Sequence, residues 1–194
     1  MAYRWVYTQP EREESVQNLQ EQLNVPQEIA QLLAIRGIES FEKAKSFFRP
    51  EKQKLHDPFL MKDMEVGASR LAEAICNHQK VLIYGDYDVD GTTAVSILYT
   101  FLKSFGIDVS YYIPHRFKEG YGINPDGIKH AIEIEADLIV SVDCGITAFE
   151  EAKVAKENGI DLIICDHHTV ADGIPDAVAV LDPKRPDCNY PFDG

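Results

Sequence analysis

The chain has 194 residues, is 45% hydrophobic and carries a formal net charge of −13, which is enough length and apolar content for one large domain or for a domain with a smaller companion. No run approaches the ~20 consecutive apolar residues of a membrane span, and the opening MAYRWVYTQPEREE lacks the apolar core of a secretory signal, so the expected location is the cytoplasm, with no membrane partner. Cys76, Cys144, Cys165 and Cys188 show no C-x-x-C spacing, which argues against a structural zinc site and a disulfide framework and leaves reduced, mostly buried thiols as the expectation.

The charge is unevenly spread. Residues 1–79 hold 10 basic and 12 acidic side chains, residues 80–194 hold 9 and 20, and 14 of those 20 are aspartates. Acidity ordinarily speaks against a nucleic-acid partner, because phosphate binding rests on Lys and Arg. Divalent ions would offset the charge locally, so an anionic substrate held through metal stays open.

From Glu11 to about Gln79 the pattern is helical: EESVQNLQEQL, PQEIAQLLAIRG, SFEKAKSFFRP and KDMEVGASRLAEAICNHQ. Pro26 suits a first helical position, Gly37 a stop and Ser40 an N-cap, so residues 1–79 are expected to form a small helical N-terminal region of three or four helices, with Trp5, Phe47 and Phe48 as core anchors. From Lys80 the period changes. Short apolar runs, VLIY, VSYYI, DLIVSVD, DLIICD and AVAVLD, alternate with the helical stretches TTAVSILYTFLKSFG, PDGIKHAIEIE and AFEEAKVAKENG. That alternation predicts an α/β domain over 80–194, a five-stranded parallel sheet with helices on both faces. The closing LDPKRPDCNYPFDG is turn-rich with no covering helix behind it, which leads us to expect an N-terminal piece of something longer.

In parallel sheets ligands collect beyond the carboxyl ends of the strands. Here strand one runs into GDYDVDG, strand three into SVDCG and strand four into CDHH, so Asp86, Asp88, Asp90, Asp143, Asp166, His167 and His168 are expected to converge on one crevice. Alternate aspartates in an extended segment project to one side, with Gly91 relieving crowding as the next helix starts. A mixed carboxylate and imidazole set suits Mn²⁺, with Mg²⁺, Co²⁺ or Zn²⁺ as substitutes, and Asp143, from the middle of the sheet, is the natural bridge between two ions.

Each element has a plainer alternative. D-x-D-x-D-G opens an EF-hand loop, but the twelfth position is Ile97 rather than Glu and a strand leads in. Asp143 alone reads equally as a helix N-cap, Asp166 as a turn residue, and the His pair as a surface turn. No G-x-G-x-x-G, G-x-x-x-x-G-K-[ST] or G-x-S-x-G is present. The segment YYIPHRFKEGYGIN places His115, Arg116 and Lys118 after strand two, where Arg116 could hold a phosphate bidentately; a solvated basic loop is the alternative.

GDYDVDG, VDCG and DHH, in that order and spacing, together with IPHRFKEGYGIN, LAIRGI and DPKRPDCNYPF, resemble the DHH phosphoesterases, and within them the branch that digests single-stranded DNA. The resemblance covers nearly the whole chain. It implies a 5′ to 3′ exonuclease of recombination and repair that depends on two Mn²⁺ or Mg²⁺ ions, with single-stranded DNA as partner and other repair proteins, such as a single-strand binding protein or a helicase, around it. It makes Asp86, Asp88, Asp90, Asp143 and His167 metal ligands, places the catalytic His168 beside the scissile phosphate, and has Asp166 orient its neighbours, while Arg116 is the substrate-binding candidate that the basic segment itself offers. It also implies a fourth motif, with a further ligating Asp, and accessory domains beyond residue 194. A DHH phosphoesterase on short oligonucleotides, cyclic dinucleotides or pyrophosphate is the alternative within enzymes. A non-catalytic DHH scaffold and a phospho-accepting signalling domain are the alternatives outside the family's hydrolases.

Overall fold

The apolar runs become strands because each is short, rich in β-branched residues and bounded by turn residues. In the computed structural model, which describes residues 4, 6–50 and 55–191, they are β1 (Val81–Gly85), β2 (Val109–Tyr112), β3 (Leu138–Val142), β4 (Asp161–Cys165) and β5 (Ala179–Leu181). All pair in parallel, in the order β2-β1-β3-β4-β5. Both faces are covered, as the near-continuous burial of β1 and β3 requires.

The alternation of side chains divides the core. Leu82, Tyr84, Ile139, Leu162 and Ile164 point to one side and pack with Ile128 and Ala131 of α6 (Pro125–Glu133) and Ala152 and Ala155 of α7 (Phe149–Glu157). Val81, Ile83, Leu138, Val140 and Ile163 point to the other, where Ala74 of α4 (Met64–Cys76) and Val95 and Leu102 of α5 (Val89–Lys103) cover them. The five-stranded α/β architecture expected from the sequence is therefore the one observed.

Two compact units divide at Leu55 and His56, whereas the sequence reading placed 56–79 with the N-terminal helices. The difference lies in α4, whose amphipathic pattern says that one face is buried but not against what. Gly67 lies so close to β5 that a Cβ there would sit 3.2 Å from Leu181 and 3.3 Å from Ala179, and the Arg70 guanidinium donates to Asp161 at 2.6 Å. The helix belongs to the sheet.

The first unit contains α1 (Glu13–Leu23), α2 (Gln27–Ile35) and α3 (Phe41–Phe48) around Val16, Leu19, Ala30, Leu33, Ala34 and Ala44. The Ser40 hydroxyl accepts from the Lys43 amide, as an N-cap should, and Gly37 takes positive φ after α2. Pro26 is the cap of α2 and not its first residue. Phe47 and Phe48 are not core anchors: both are more than half exposed and meet each other edge to face, because α3 buries the small Ala44 instead. Trp5 lies outside the described residues.

The thiols are free, but only Cys144 is buried; Cys165 and Cys188 are half-buried and Cys76 is exposed. After β5 the chain is tied down by Arg185, which is almost fully buried. Its guanidinium donates to Asp63 at 2.5 Å, to the Val180 carbonyl at 2.6 Å and to Asp187 at 2.9 Å. Arg185→Ala is expected to lower stability by about 1–3 kcal/mol, the cost of leaving the buried Val180 carbonyl without its donor, since Asp63 and Asp187 keep access to water; a shift in the urea midpoint reads it.

Candidate metal centre

Strand order reverses between β1 and β3, and in such sheets the crevice beyond those two carboxyl ends is the natural ligand position. Asp86 leaves β1 there and is almost completely buried, with Oδ1 lacking any hydrogen-bond partner among the described residues. Asp143 leaves β3 beside it, and its Oδ2 is likewise buried without a partner. Asp143 is held in the left-handed region at φ 62°, with its amide donating to the Cys165 carbonyl at 2.8 Å. Asp is one of the few residues with a side chain that tolerate this conformation.

Asp88 is extended and caps α5, its Oδ1 accepting from the Gly91 amide at 3.0 Å. The helix has begun by Val89, so the extended alternation expected across all three aspartates stops at Asp88. Asp90 instead leaves from the first helical turn, exposed, where the helix N-terminus favours negative charge. It lines a crevice of about 490 Å³ together with Asp143, Asp166 and His167.

After β4, Asp166 is saturated. Its Oδ2 accepts from the Ile146 amide at 2.9 Å, and its Oδ1 accepts from the amides of His167 at 2.7 Å and His168 at 3.1 Å and lies 2.6 Å from His168 Nδ1. Burial pushes the Asp166 carboxyl up, but these donors outweigh it and hold it below the usual carboxylate range. His167 turns the other way, its Nε2 lying 3.0 Å from Asp143 Oδ1. Donor atoms of Asp143, His167 and His168 all lie within 4.8 Å of one another.

The electrostatics are those of a site that wants a cation. Burial pushes Asp86 up, with the neighbouring Asp88 charge adding to it. Asp143 is pushed up by burial and then by Asp88, while the Gly91 amide holds Asp88 down. Carboxylates taken from water without partners are costly; two orphaned carboxylate oxygens beside a carboxylate and an imidazole suit divalent ions that accept both oxygen and nitrogen, Mn²⁺ among them. The residues present fit such ions.

The basic segment after β2 reaches the same neighbourhood differently from expectation. The Arg116 guanidinium lies over the Tyr87 ring, 5.3 Å from its centroid, while His115 and Lys118 remain exposed. Sequence reasoning missed three residues here. Tyr87 follows Asp86 and carries Arg116. Tyr121, turned in by Gly120 and Gly122 at φ 83° on either side, brings its hydroxyl to His168 and to the Asp143 carbonyl; the two glycines flanking an aromatic were its one visible signal. Asp182, fully buried after β5, accepts from the Lys184 amide at 2.8 Å and leaves Oδ2 without a partner among the described residues.

A family model for the DHH family, N-terminal domain, matches residues 80–190. The chain belongs to the DHH family. Among DHH relatives, the single-stranded-DNA-specific exonuclease RecJ of Bacillus subtilis is 43% identical over 189 residues, covering 97% of this chain and 24% of the relative. The RecJ of Thermus thermophilus is 38% identical over 127 residues, covering 66% of this chain and 19% of the relative. Among solved structures, an exonuclease RecJ bound to manganese superposes with a TM-score of 0.63 at 36% identity, over 69% of this chain and 34% of that one. The Thermus thermophilus RecJ in complex with Mn²⁺ gives 0.67 at 28% identity, over 94% and 25%. This DHH chain thus spans about a quarter of the length of the relatives it matches. Among its described residues, no helix is long and apolar enough to cross a membrane.

Proposed function

We propose that the full-length protein is a divalent-metal phosphodiesterase that removes nucleotides from single-stranded DNA, with the 5′ to 3′ polarity and the role in recombination and repair that the family resemblance implies. The observation that carries this reading is the pair of buried carboxylate oxygens of Asp86 and Asp143, without hydrogen-bond partners among the described residues, at the point where strand order reverses, with Asp88 and His167 beside them. Relatives whose names specify single-stranded DNA, and solved relatives carrying Mn²⁺, support the substrate and the metal.

Asp86, Asp88, Asp143 and His167 would hold the ions, with Asp90 contributing from the rim of the crevice. Bound there, Mn²⁺ or Mg²⁺ supplies Lewis acidity, making a water more acidic and stabilising charge on the phosphate oxygens. The protein's own part is positioning. Asp166, already saturated by amides, fixes the His167–His168 turn and orients the His168 ring. His168 faces the phosphate, and Arg116, stacked on Tyr87, presents its fork of donors to a phosphate oxygen. The protein would act in the cytoplasm, on strands exposed by a helicase or delivered with single-strand binding protein.

The test is cleavage by the full-length protein of an end-labelled long single strand, the matching duplex and a dinucleotide. Cleavage of the single strand is expected to stop with chelator, to return with Mn²⁺ and to spare the duplex. Undiminished cleavage in chelator would reject the reading, and faster cleavage of the dinucleotide would move the substrate to short oligonucleotides.

A further inference from the structure

We infer that Tyr121 is a positioning residue for the reaction: its hydroxyl ties the loops after β3 and β4 together, holding the His168 ring and the Asp143 backbone in one geometry. The inference deepens the phosphodiesterase reading above and rests on it.

Tyr121 comes from neither loop. It lies in the segment after β2, 22 residues before Asp143 and 47 before His168. A phenol hydroxyl has one proton to give and lone pairs to receive. The Tyr121 hydroxyl gives its proton to the Asp143 carbonyl at 3.1 Å. Its oxygen also lies 2.9 Å from His168 Nδ1 and 3.1 Å from Nε2, with the two rings at 75° and 5.4 Å between centroids. Asp166 holds the same ring through Nδ1 at 2.6 Å. The imidazole is thus gripped by two groups from different loops, which removes most of its rotational freedom before substrate arrives.

The ring of Tyr121 has a second task. It meets Tyr87 edge to face, with 6.5 Å between centroids, and Tyr87 carries the Arg116 guanidinium on its face. A continuous row therefore runs Arg116, Tyr87, Tyr121, His168, linking the phosphate-binding cation to the catalytic imidazole. The hydroxyl acts on His168 and the ring acts on Arg116, so two substitutions separate the two effects.

In the full-length, Mn²⁺-loaded protein, Tyr121→Phe keeps the ring and removes the hydroxyl. It should lower kcat on single-stranded DNA about tenfold, the size of one well-placed hydrogen bond, and leave KM within about twofold of wild type. Tyr121→Leu should lower kcat as far and also raise KM several-fold, with Phe restoring KM relative to Leu. Wild-type kcat in Tyr121→Phe would overturn the inference, as would a loss of kcat in Phe that only follows a loss of folded protein in a parallel thermal melt. Asp143→Asn is assayed alongside: if it cleaves like wild type, the metal-phosphodiesterase reading itself fails, whereas an inactive Asp143→Asn beside an unimpaired Tyr121→Phe removes the Tyr121 inference alone.

Discussion

Asp143→Asn should abolish the Mn²⁺ response while leaving the fold intact. Asn is the informative substitution. Residue 143 sits at φ 62°, where Asn is tolerated nearly as well as Asp but Ala is strained, so an Ala variant would confound lost ligation with backbone strain. In the metal-free protein Asp143 is a buried carboxyl pushed up by burial and by Asp88, with one oxygen lacking a partner among the described residues. Removing its charge therefore relieves the apo state, and the metal-free variant should melt no lower than wild type. Wild type should gain about 2.7 kcal/mol of stability when Mn²⁺ is raised to 100 times its dissociation constant, and the variant should gain almost nothing at that concentration. Cleavage of single-stranded DNA by the full-length variant should fall by at least about 100-fold, the upper end of what losing a residue that only orients a ligand costs. Differential scanning fluorimetry with and without Mn²⁺ reads the first effect independently of activity. An equal Mn²⁺-induced shift in both proteins would mean that this carboxylate does not hold metal.

The strand-end positions of these side chains could be read from the sequence for a topological reason. A parallel sheet of βαβ units forces strand ends that are distant in the chain to one edge, so an apolar run followed by an acid reports its own position. Asp86, Asp143 and Asp166 were placed in that way. What failed to show were features set by partners and not by pattern. The aspartate spacing implied an extended segment through Asp90, but Asp88 caps a helix that begins one residue later, and the same D-x-x-G letters serve both purposes. The apolar face of α4 could not announce that it meets β5, and Phe47 and Phe48 look like anchors until Ala44 is seen to occupy the buried position. Tyr121 looks like a loop aromatic between two glycines; only the fold brings in His168 from 47 residues away.

Gly91→Ala should cost both stability and activity, against the expectation from helix propensity. Gly91 lies in the first turns of α5, where Ala is ordinarily better by about 1 kcal/mol. Here the helix start lies against the chain at Asp86. A Cβ on residue 91 would sit 2.5 Å from the Asp86 carbonyl oxygen, 2.7 Å from its nitrogen and 2.8 Å from its carbonyl carbon. These are backbone atoms and cannot rotate aside, so either α5 lifts away or the end of β1 moves. Overpacking of this kind costs about 1–3 kcal/mol, enough to reverse the propensity gain, and urea unfolding should show a net loss. The functional loss should be larger than that figure suggests, because the displaced pieces are the two that carry Asp86 and Asp88. A shift of about 1 Å in a reacting geometry is worth roughly 100-fold in rate, and cleavage by the full-length variant should fall by that order even where it remains folded. Raising Mn²⁺ should recover little of it, since the ligands would be displaced and not merely less charged. A variant as stable and as active as wild type would mean that α5 does not approach β1 this closely, and the placement of Asp86 and Asp88 would have to be redrawn with it.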